Sequence, residues 1–307
     1  MGTPLPIETR ITEAETRWPG LQFRRKTAHE ASSACPFCHQ ATEDGFLVFD
    51  TGAYWCRKCD AKGFIDENDT TPPDPVKILA ARLAAVERLA EENAKRLTAL
   101  ERMARCTDHL TYYQQMNQDD MRDLWLAEGF TDETIDKWQL GICYHCKTDQ
   151  PDERMSMTIP VMFKNRPVNI RHRLITSGND RYRPHMPGLG NFLFNADDVY
   201  SDDTSSILIA EGEKKAICLK QHGLGNVVGT MGKGGFQRAW ASRFDRFSEV
   251  LIALDPDATD KAREMAGWFG GKARVVSLPT KPDDFFHVYN GTPSQFNEFI
   301  KLARKVA

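Results

Sequence analysis

No apolar run in the sequence approaches the roughly 20 residues a membrane span needs. The first twenty residues carry Glu8, Glu13 and Glu15 in place of an apolar core with a cleavage site, so neither a membrane partner nor a secretory leader is expected and the compartment reads as cytoplasmic. One-sided charge is also missing. Forty Lys and Arg stand against 43 Asp and Glu in 307 residues, a net charge of −3, which argues against a uniformly basic nucleic-acid binder but leaves room for local patches. There is no Gly-x-x-x-x-Gly-Lys-Ser/Thr loop, hence no recognisable helicase motor. Cysteines number only eight, and in a reducing compartment clustered pairs are metal ligands before they are disulfides.

Residues Phe23 to Phe64 hold four of those cysteines, several aromatics and short alternating stretches such as Phe46-Leu47-Val48-Phe49. From Gly63 to Pro75 follow four acids, three prolines and no base, a composition expected to stay flexible. Val76 to Cys106 then runs without Gly or Pro and predicts one long helix. Its stripe Leu79, Leu83, Val86, Ala90, Asn93, Leu97, Leu100, Ala104 fits a coiled coil or a helix laid on its own chain, and with Asn93 and two alanines the second reading is preferred. Beyond Tyr112, helices read at Asn117 to Glu128 and Thr131 to Trp138, and extended segments at Met157 to Phe163 and Val168 to Leu174. Ile207 to Ala210, Asn226 to Val228, Val250 to Leu254 and Ala273 to Leu278 then alternate with helices at Lys214 to His222, near Phe236 to Phe244 and at Thr259 to Phe269. This succession predicts an α/β parallel sheet covered on both faces, with its chemistry at the carboxyl ends of the strands.

Cys35-Pro36-Phe37-Cys38 and Cys56-Arg57-Lys58-Cys59 are two Cys-x-x-Cys knuckles whose separation fits a zinc ribbon. Four thiolates close a tetrahedron and leave no position for water, so this Zn²⁺ is structural. Cys143 and Cys146 form a third such pair, but on extended chain residues three apart face opposite ways, so a shared metal is not expected. Cys106 and Cys218 read as small buried apolar residues.

Strand Ile207 to Ala210 runs into Glu211-Gly212, and Val250 to Leu254 into Asp255-Pro256-Asp257. Three carboxylates at one sheet edge suit Mg²⁺ or Mn²⁺ beside phosphate oxygens. Glu211 alone reads equally well as a helix N-cap. Gly229 to Gly235 lies between the two acidic motifs, and the glycines around Lys233 allow backbone amides to approach an anion, although a plain turn has the same composition. Between Ile159 and Phe194 six bases (Lys164, Arg166, Arg171, Arg173, Arg181, Arg183) face one acid, while Asn195 to Glu213 holds six acids and no base. A basic strip leading to an acidic pocket suits a polymerase that holds phosphates and cations, and a solvated basic face is the plainer reading.

These residues together resemble the DnaG-type DNA primases of bacteria and phages. Cys35 to Gly63 looks like the primase zinc ribbon, Gly129 to Gly141 like the segment opening the polymerase domain, and Arg173 with Arg181-Tyr182 like its basic residue and basic-Tyr pair. Glu211-Gly212 and Asp255-Pro256-Asp257 look like the acids of its TOPRIM fold, and Asp283-Asp284-Phe285 like the closing acidic segment. Lys215 and Lys281 depart from the pattern, standing where the family usually has acids.

The resemblance implies a zinc ribbon for template binding (1–64), an acidic Pro-rich linker and long helix (65–106), the mixed α+β first part of a polymerase domain (107–200) and a TOPRIM sheet (201–307). It implies RNA primer synthesis on single-stranded DNA from ribonucleoside triphosphates beside a separate replicative helicase. Glu211, Asp255 and Asp257 would be catalytic and, with Asp283, would hold Mg²⁺ or Mn²⁺. Taking the basic strip, the glycine-rich segment and the second knuckle together with the resemblance, Arg171, Arg173, Arg181, Tyr182, Lys214, Lys215 and Lys233 would hold nucleotide or template, and Trp55, Arg57 and Lys58 would read template. The alternatives are a TOPRIM nuclease or topoisomerase-like enzyme, for which no nucleophilic Tyr is evident, and a non-catalytic DNA-binding homologue in which the two lysines have replaced metal sites.

Overall fold

Side chains alternate across a strand, so a strand apolar at every position must be covered on both sides. The structure, a computed structural model, describes residues 4–25, 27–38, 45–65, 75–146, 154–175, 182–232 and 234–305, and the chain forms two compact units, 1–95 and 96–307. The acidic segment 66–74, expected to be flexible, lies outside the described residues, as do Arg181 and Lys233.

The first unit opens with a helix not expected from the sequence, α1 (Ile7–Arg17), followed by β1 (Arg24–Arg25), β2 (Glu30–Ser33), β3 (Phe46–Phe49), β4 (Ala53–Cys56) and β5 (Lys62–Phe64). The strands pair antiparallel in sequence order. Their core is small: Phe46, Val48, Ala14 and Ile65 pack with the four knuckle cysteines. Trp18, just past α1, sets its ring 5.0–5.5 Å from Phe37, Phe46 and Tyr54 in edge-on contacts.

Helix α2 (Pro75–Ala104) has the expected extent, but its stripe does not form one buried seam. Leu79, Leu83, Val86 and Leu97 are each more than half exposed, and burial begins only at Ala99 and Met103, which pack with Ile170 and Leu189 in the second unit. Periodicity marks an apolar face without saying where along the helix a partner meets it. The helix expected over Asn117 to Glu128 is instead α3 (Asp108–Gln118) and the short α4 (Asp123–Leu126). The break falls at Asp119-Asp120, where Asp120 has φ +53° and Asp is a poor interior helix former. Next comes α5 (Asp132–Trp138), whose Thr131 N-cap accepts a hydrogen bond from Thr134 N. The strands β6 (Gly141–Cys146), β7 (Arg154–Phe163), β8 (Arg166–Leu174) and β9 (Tyr182–Pro184) form an antiparallel sheet.

The last part is the mixed sheet. Strands β10 (Ser206–Glu211), β11 (Asn226–Thr230), β12 (Glu249–Ala253) and β13 (Ala273–Val275) are parallel in the order β11-β10-β12-β13, with β14 (Arg304–Lys305) antiparallel at the edge. Helices α6 (Glu213–Gln221), α7 (Thr259–Ala266), α8 (Pro282–His287) and α9 (Pro293–Lys301) accompany them. The segment expected as a helix near Phe236 is a 3-10 helix, Arg238–Phe244. On β10, Leu208 and Ala210 face a core with Ile217, Leu219, Phe285 and Phe296, whereas Ile207 and Ile209 face one with Phe236, Phe244, Met265 and Phe269. Both faces are covered, and each such fully buried side chain contributes about 1.5–3 kcal/mol relative to exposure. No helix among the described residues is long and apolar enough to cross a membrane.

Candidate active site and metal cluster

Parallel pairing sets the site. Ala210 is in register with Ala253, so the chain leaves β10 and β12 side by side, and the Asp255 N–H donates to Glu211 Oε2 at 3.4 Å. Gly212 (φ +91°) turns the chain into α6 and is itself the N-cap, so Glu211 does not cap that helix. Gly229 on β11 lets the strands close here, since a Cβ there would come within 2.6 Å of the Gly212 carbonyl oxygen.

Lys214 and Lys215 occupy the first turn of α6, where the helix dipole disfavours cations. Each is matched by acids. Lys215 Nζ lies 2.9 Å from both oxygens of Asp255, and Lys214 Nζ bridges Asp283 Oδ2 at 2.9 Å and Glu128 Oε2. Glu128 gives its other oxygen to Arg173, and Arg171 Nε lies 3.1 Å from Glu213 Oε1 in a buried pair. Arg171 and Arg173 are two apart on β8 and therefore share a face. Tyr182, opposite Arg173 on β9, carries Arg171 over its ring at 5.5 Å. The two lysines, the two arginines, Tyr182, Glu211, Glu213 and Asp283 line a cavity of about 860 Å³ that Lys281, Asp284, Met231 and Gly232 complete.

The charges are unequal in their satisfaction. Burial, with Asp255 beside it, pushes the Glu211 carboxyl above the usual range, and among the described residues Glu211 makes no ion pair. Burial also raises Glu213, against the pull of Arg171. At Glu128 burial works the same way but Lys214 and Arg173 outweigh it and hold the carboxyl low, and Lys214 does the same for Asp283. Asp283 Oδ1 is buried without a hydrogen-bond partner among the described residues.

Of the residues named from sequence, Glu211, Asp283, Arg171, Arg173, Tyr182, Lys214 and Lys215 line the cavity. Asp255 adjoins it through Lys215 and Glu211. Asp257 is exposed on the 3-10 turn after β12. Phe194 is core and packs on Trp138 at 5.0 Å. Glu128, the hub between Lys214 and Arg173, escaped sequence reading because nothing local marks a single acid ahead of a turn.

In the ribbon, Cys35, Cys38, Cys56 and Cys59 are all buried with their sulfurs within 4.8 Å of one another. Cys35 Sγ to Cys59 Sγ is 3.8 Å and Cys38 Sγ to Cys56 Sγ is 3.9 Å. A tetrahedron with Zn–S of about 2.3 Å has an edge of about 3.8 Å, so the four could hold a structural zinc. The amides of Phe37 and Lys58 donate to Cys35 and Cys56 sulfur at 3.4 Å, as thiolate ligands require. Hydrogen bonding from Cys35 draws the Cys56 thiol down to about 5, and the same bond drives Cys35 upward. Nearby, Trp55 is 39% exposed, its indole N–H donates to Asp60 Oδ1 at 2.9 Å, and Arg57 lies 6.0 Å from its ring centroid. Lys58 is exposed.

No protein-family model matches the chain. It is 25% identical over 321 residues to a DNA primase of Geobacillus stearothermophilus, a match taking in 84% of this chain and 53% of that protein, so the chain spans about half the length of that relative. Among solved structures, the zinc-binding and RNA polymerase domains of the Aquifex aeolicus primase match with a TM-score of 0.53 at 16% identity, covering 98% of this chain and 84% of that one. A DnaG primase catalytic domain bound to single-stranded DNA matches with a TM-score of 0.54 at 15% identity, covering 71% and 84%. The RNA polymerase domain of Mycobacterium tuberculosis DnaG in complex with double-stranded DNA gives a TM-score of 0.54 at 13% identity, covering 69% and 82%. The chain thus resembles the DnaG-type primases in sequence and shares their fold.

Proposed function

We propose, from that resemblance and the site it frames, that the protein is a DNA primase, joining ribonucleotides on a single-stranded DNA template. The observation that carries the reading is the abutment of Glu211 and Asp255 at the carboxyl ends of β10 and β12, beside a cationic wall of Arg171, Arg173 and Lys214. Oxygen ligands of this kind fit a hard divalent cation. Glu211 and Asp255 would hold Mg²⁺ or Mn²⁺, with Asp257 on the adjoining turn and Asp283, whose Oδ1 has no hydrogen-bond partner among the described residues, lining the same cavity as Glu211. When bound, the cation supplies Lewis-acid activation of the attacking hydroxyl and charge neutralisation on the triphosphate.

The chain's own groups do the rest. Arg173 and Lys214 are held in place by Glu128, so their N–H donors need no reorganisation when phosphate arrives. Arg171, locked by Glu213 and lying over Tyr182, stiffens the wall. Lys215 neutralises Asp255 in the absence of a cation and would have to yield when one binds. In the ribbon the four cysteines are assigned to Zn²⁺, and Trp55, Arg57 and Lys58 to the template, where an exposed indole beside cations suits stacking on unpaired bases. Arg181 is assigned to nucleotide or template by the same resemblance, and Lys233 by the glycine-rich segment around it. A separate helicase and a cytoplasmic setting complete the proposal.

The Lys215 to Asp255 pair also favours a second reading, a DNA-binding homologue that has exchanged its metal for an internal cation. One assay separates the two. Purified protein with ribonucleotides, Mg²⁺ or Mn²⁺ and single-stranded template should yield short RNA, and Glu211→Ala and Asp255→Ala should yield none while keeping the wild-type circular dichroism. Template binding without any synthesis by the wild type would establish the second reading.

A further inference from the structure

Cys218 lies on α6 and His222, four positions on, caps that helix, so both face the same way. His287 ends α8 and brings its Nε2 to 3.4 Å from Cys218 Sγ. One ligand atom from each of the three residues lies within 4.8 Å of the others. Cys218 is wholly buried, and His222 Nε2 is buried with no hydrogen-bond partner among the described residues. Leaving a buried imidazole nitrogen unpaired is costly, so the nitrogen needs a reason to be there.

The rings are held rather than loose. His222 stacks on Phe286 at 4.0 Å and 9°, and His287 meets Phe130 edge-on at 5.6 Å. Gly129 (φ +87°) makes room for His287, whose ring a Cβ at that position would strike. Burial lowers the proton affinity of both imidazoles, leaving them in the neutral form that ligates metals. Thiolate and imidazole are the ligands of Zn²⁺ and its neighbours, not of Mg²⁺. None of the three residues lines the acidic cavity.

We propose that Cys218, His222 and His287 form a transition-metal site, separate from the ribbon and from the carboxylate cluster, that takes Zn²⁺ and clips α6 to α8. Three protein ligands would leave a fourth position to be filled by water or another donor. On binding, the thiol gives its proton to solvent and its sulfur bonds the ion, so one proton is released per metal bound. The clip ties together the helix that carries Lys214 and the helix that carries Asp283, and so fixes their ion pair.

The test uses the full chain, incubated with Zn²⁺, freed of loose metal by gel filtration and analysed for metal. Two zinc ions per wild-type chain are expected, and one in each of Cys218→Ser, His287→Gln and Cys38→Ser. As a second readout, Co²⁺ added to protein already holding one zinc should give a thiolate-to-cobalt charge-transfer band in wild type that Cys218→Ser lacks. A single zinc in wild type that Cys38→Ser abolishes would overturn the proposal. So would an unchanged count of two in both the Cys218→Ser and His287→Gln variants.

Discussion

The ribbon and the parallel sheet gather charge in opposite ways. In the ribbon four thiols converge on one point with a few apolar side chains around them, an arrangement that could hold a structural zinc in place of a large core. In the sheet, two large cores fix β10 and β12 whatever occupies their ends, and the carboxylates there meet lysines and arginines of the same chain. On the proposed reading, a metal in the first region would be a condition of folding. In the second it would be a reagent that competes with internal cations.

The comparison is broken most directly at Cys38. Cys38→Ser should cost the first unit most of the roughly 10–16 kcal/mol that a structural zinc supplies. One equivalent of zinc should disappear from metal analysis and the first unit's amide resonances should collapse, with those of residues 96–307 unmoved. Survival of the first unit's resonances would erase the contrast.

Asp255→Ala should do the reverse, sparing the fold and removing cation-assisted stabilisation. A loss of several kcal/mol in the reaction corresponds to roughly 10²–10³-fold less primer, read on the template gel beside a melting curve that shows a folded protein with a modest fall in melting temperature from the unpaired Lys215.

Glu128→Gln tests whether internal pairing holds the sheet region. The hydrogen bonds from Lys214 and Arg173 are charge-assisted, so about 1.5–3 kcal/mol should be lost at neutral pH in urea unfolding. The sign follows from linkage. Glu128 has a depressed carboxyl in the fold, so its contribution is complete above the ordinary carboxylate range and fades as pH falls through the lowered value. Wild type and variant should therefore converge in acid. A gap that persists there would mean the glutamine acts by packing instead.

Lys215→Met carries the smallest expected effect. Removing the ammonium 2.9 Å from Asp255 should tighten Mn²⁺ binding by roughly tenfold, about 1.4 kcal/mol, in a titration followed by electron paramagnetic resonance. Weaker binding would show that Lys215 helps to build the site.

Much of this was legible in the linear sequence because it depends on spacing. Two Cys-x-x-Cys pairs define a tetrahedron almost by themselves, and the alternation of apolar strands with helices requires a sheet covered on both faces. The acids Glu211 and Asp255 could be placed side by side because each sits at the carboxyl end of a strand, and parallel strands in register end together. Helix limits were read less well where backbone chemistry overrode pattern, as at Asp119-Asp120, and the α2 stripe marked a face without revealing that only its last turns find a core.

What the sequence determined by itself was therefore local and periodic: ligand sets closed over a few residues, strand ends, and the presence of basic and acidic stretches. Pairing across long separations was decided only in three dimensions. Glu128 meets Lys214 and Arg173 across 86 and 45 residues, and Cys218 meets His287 across 69. Neither has a local signature, because the free energy that brings such groups together comes from burying Ile217, Phe285 and their neighbours, and polar partners take whatever positions that packing leaves them.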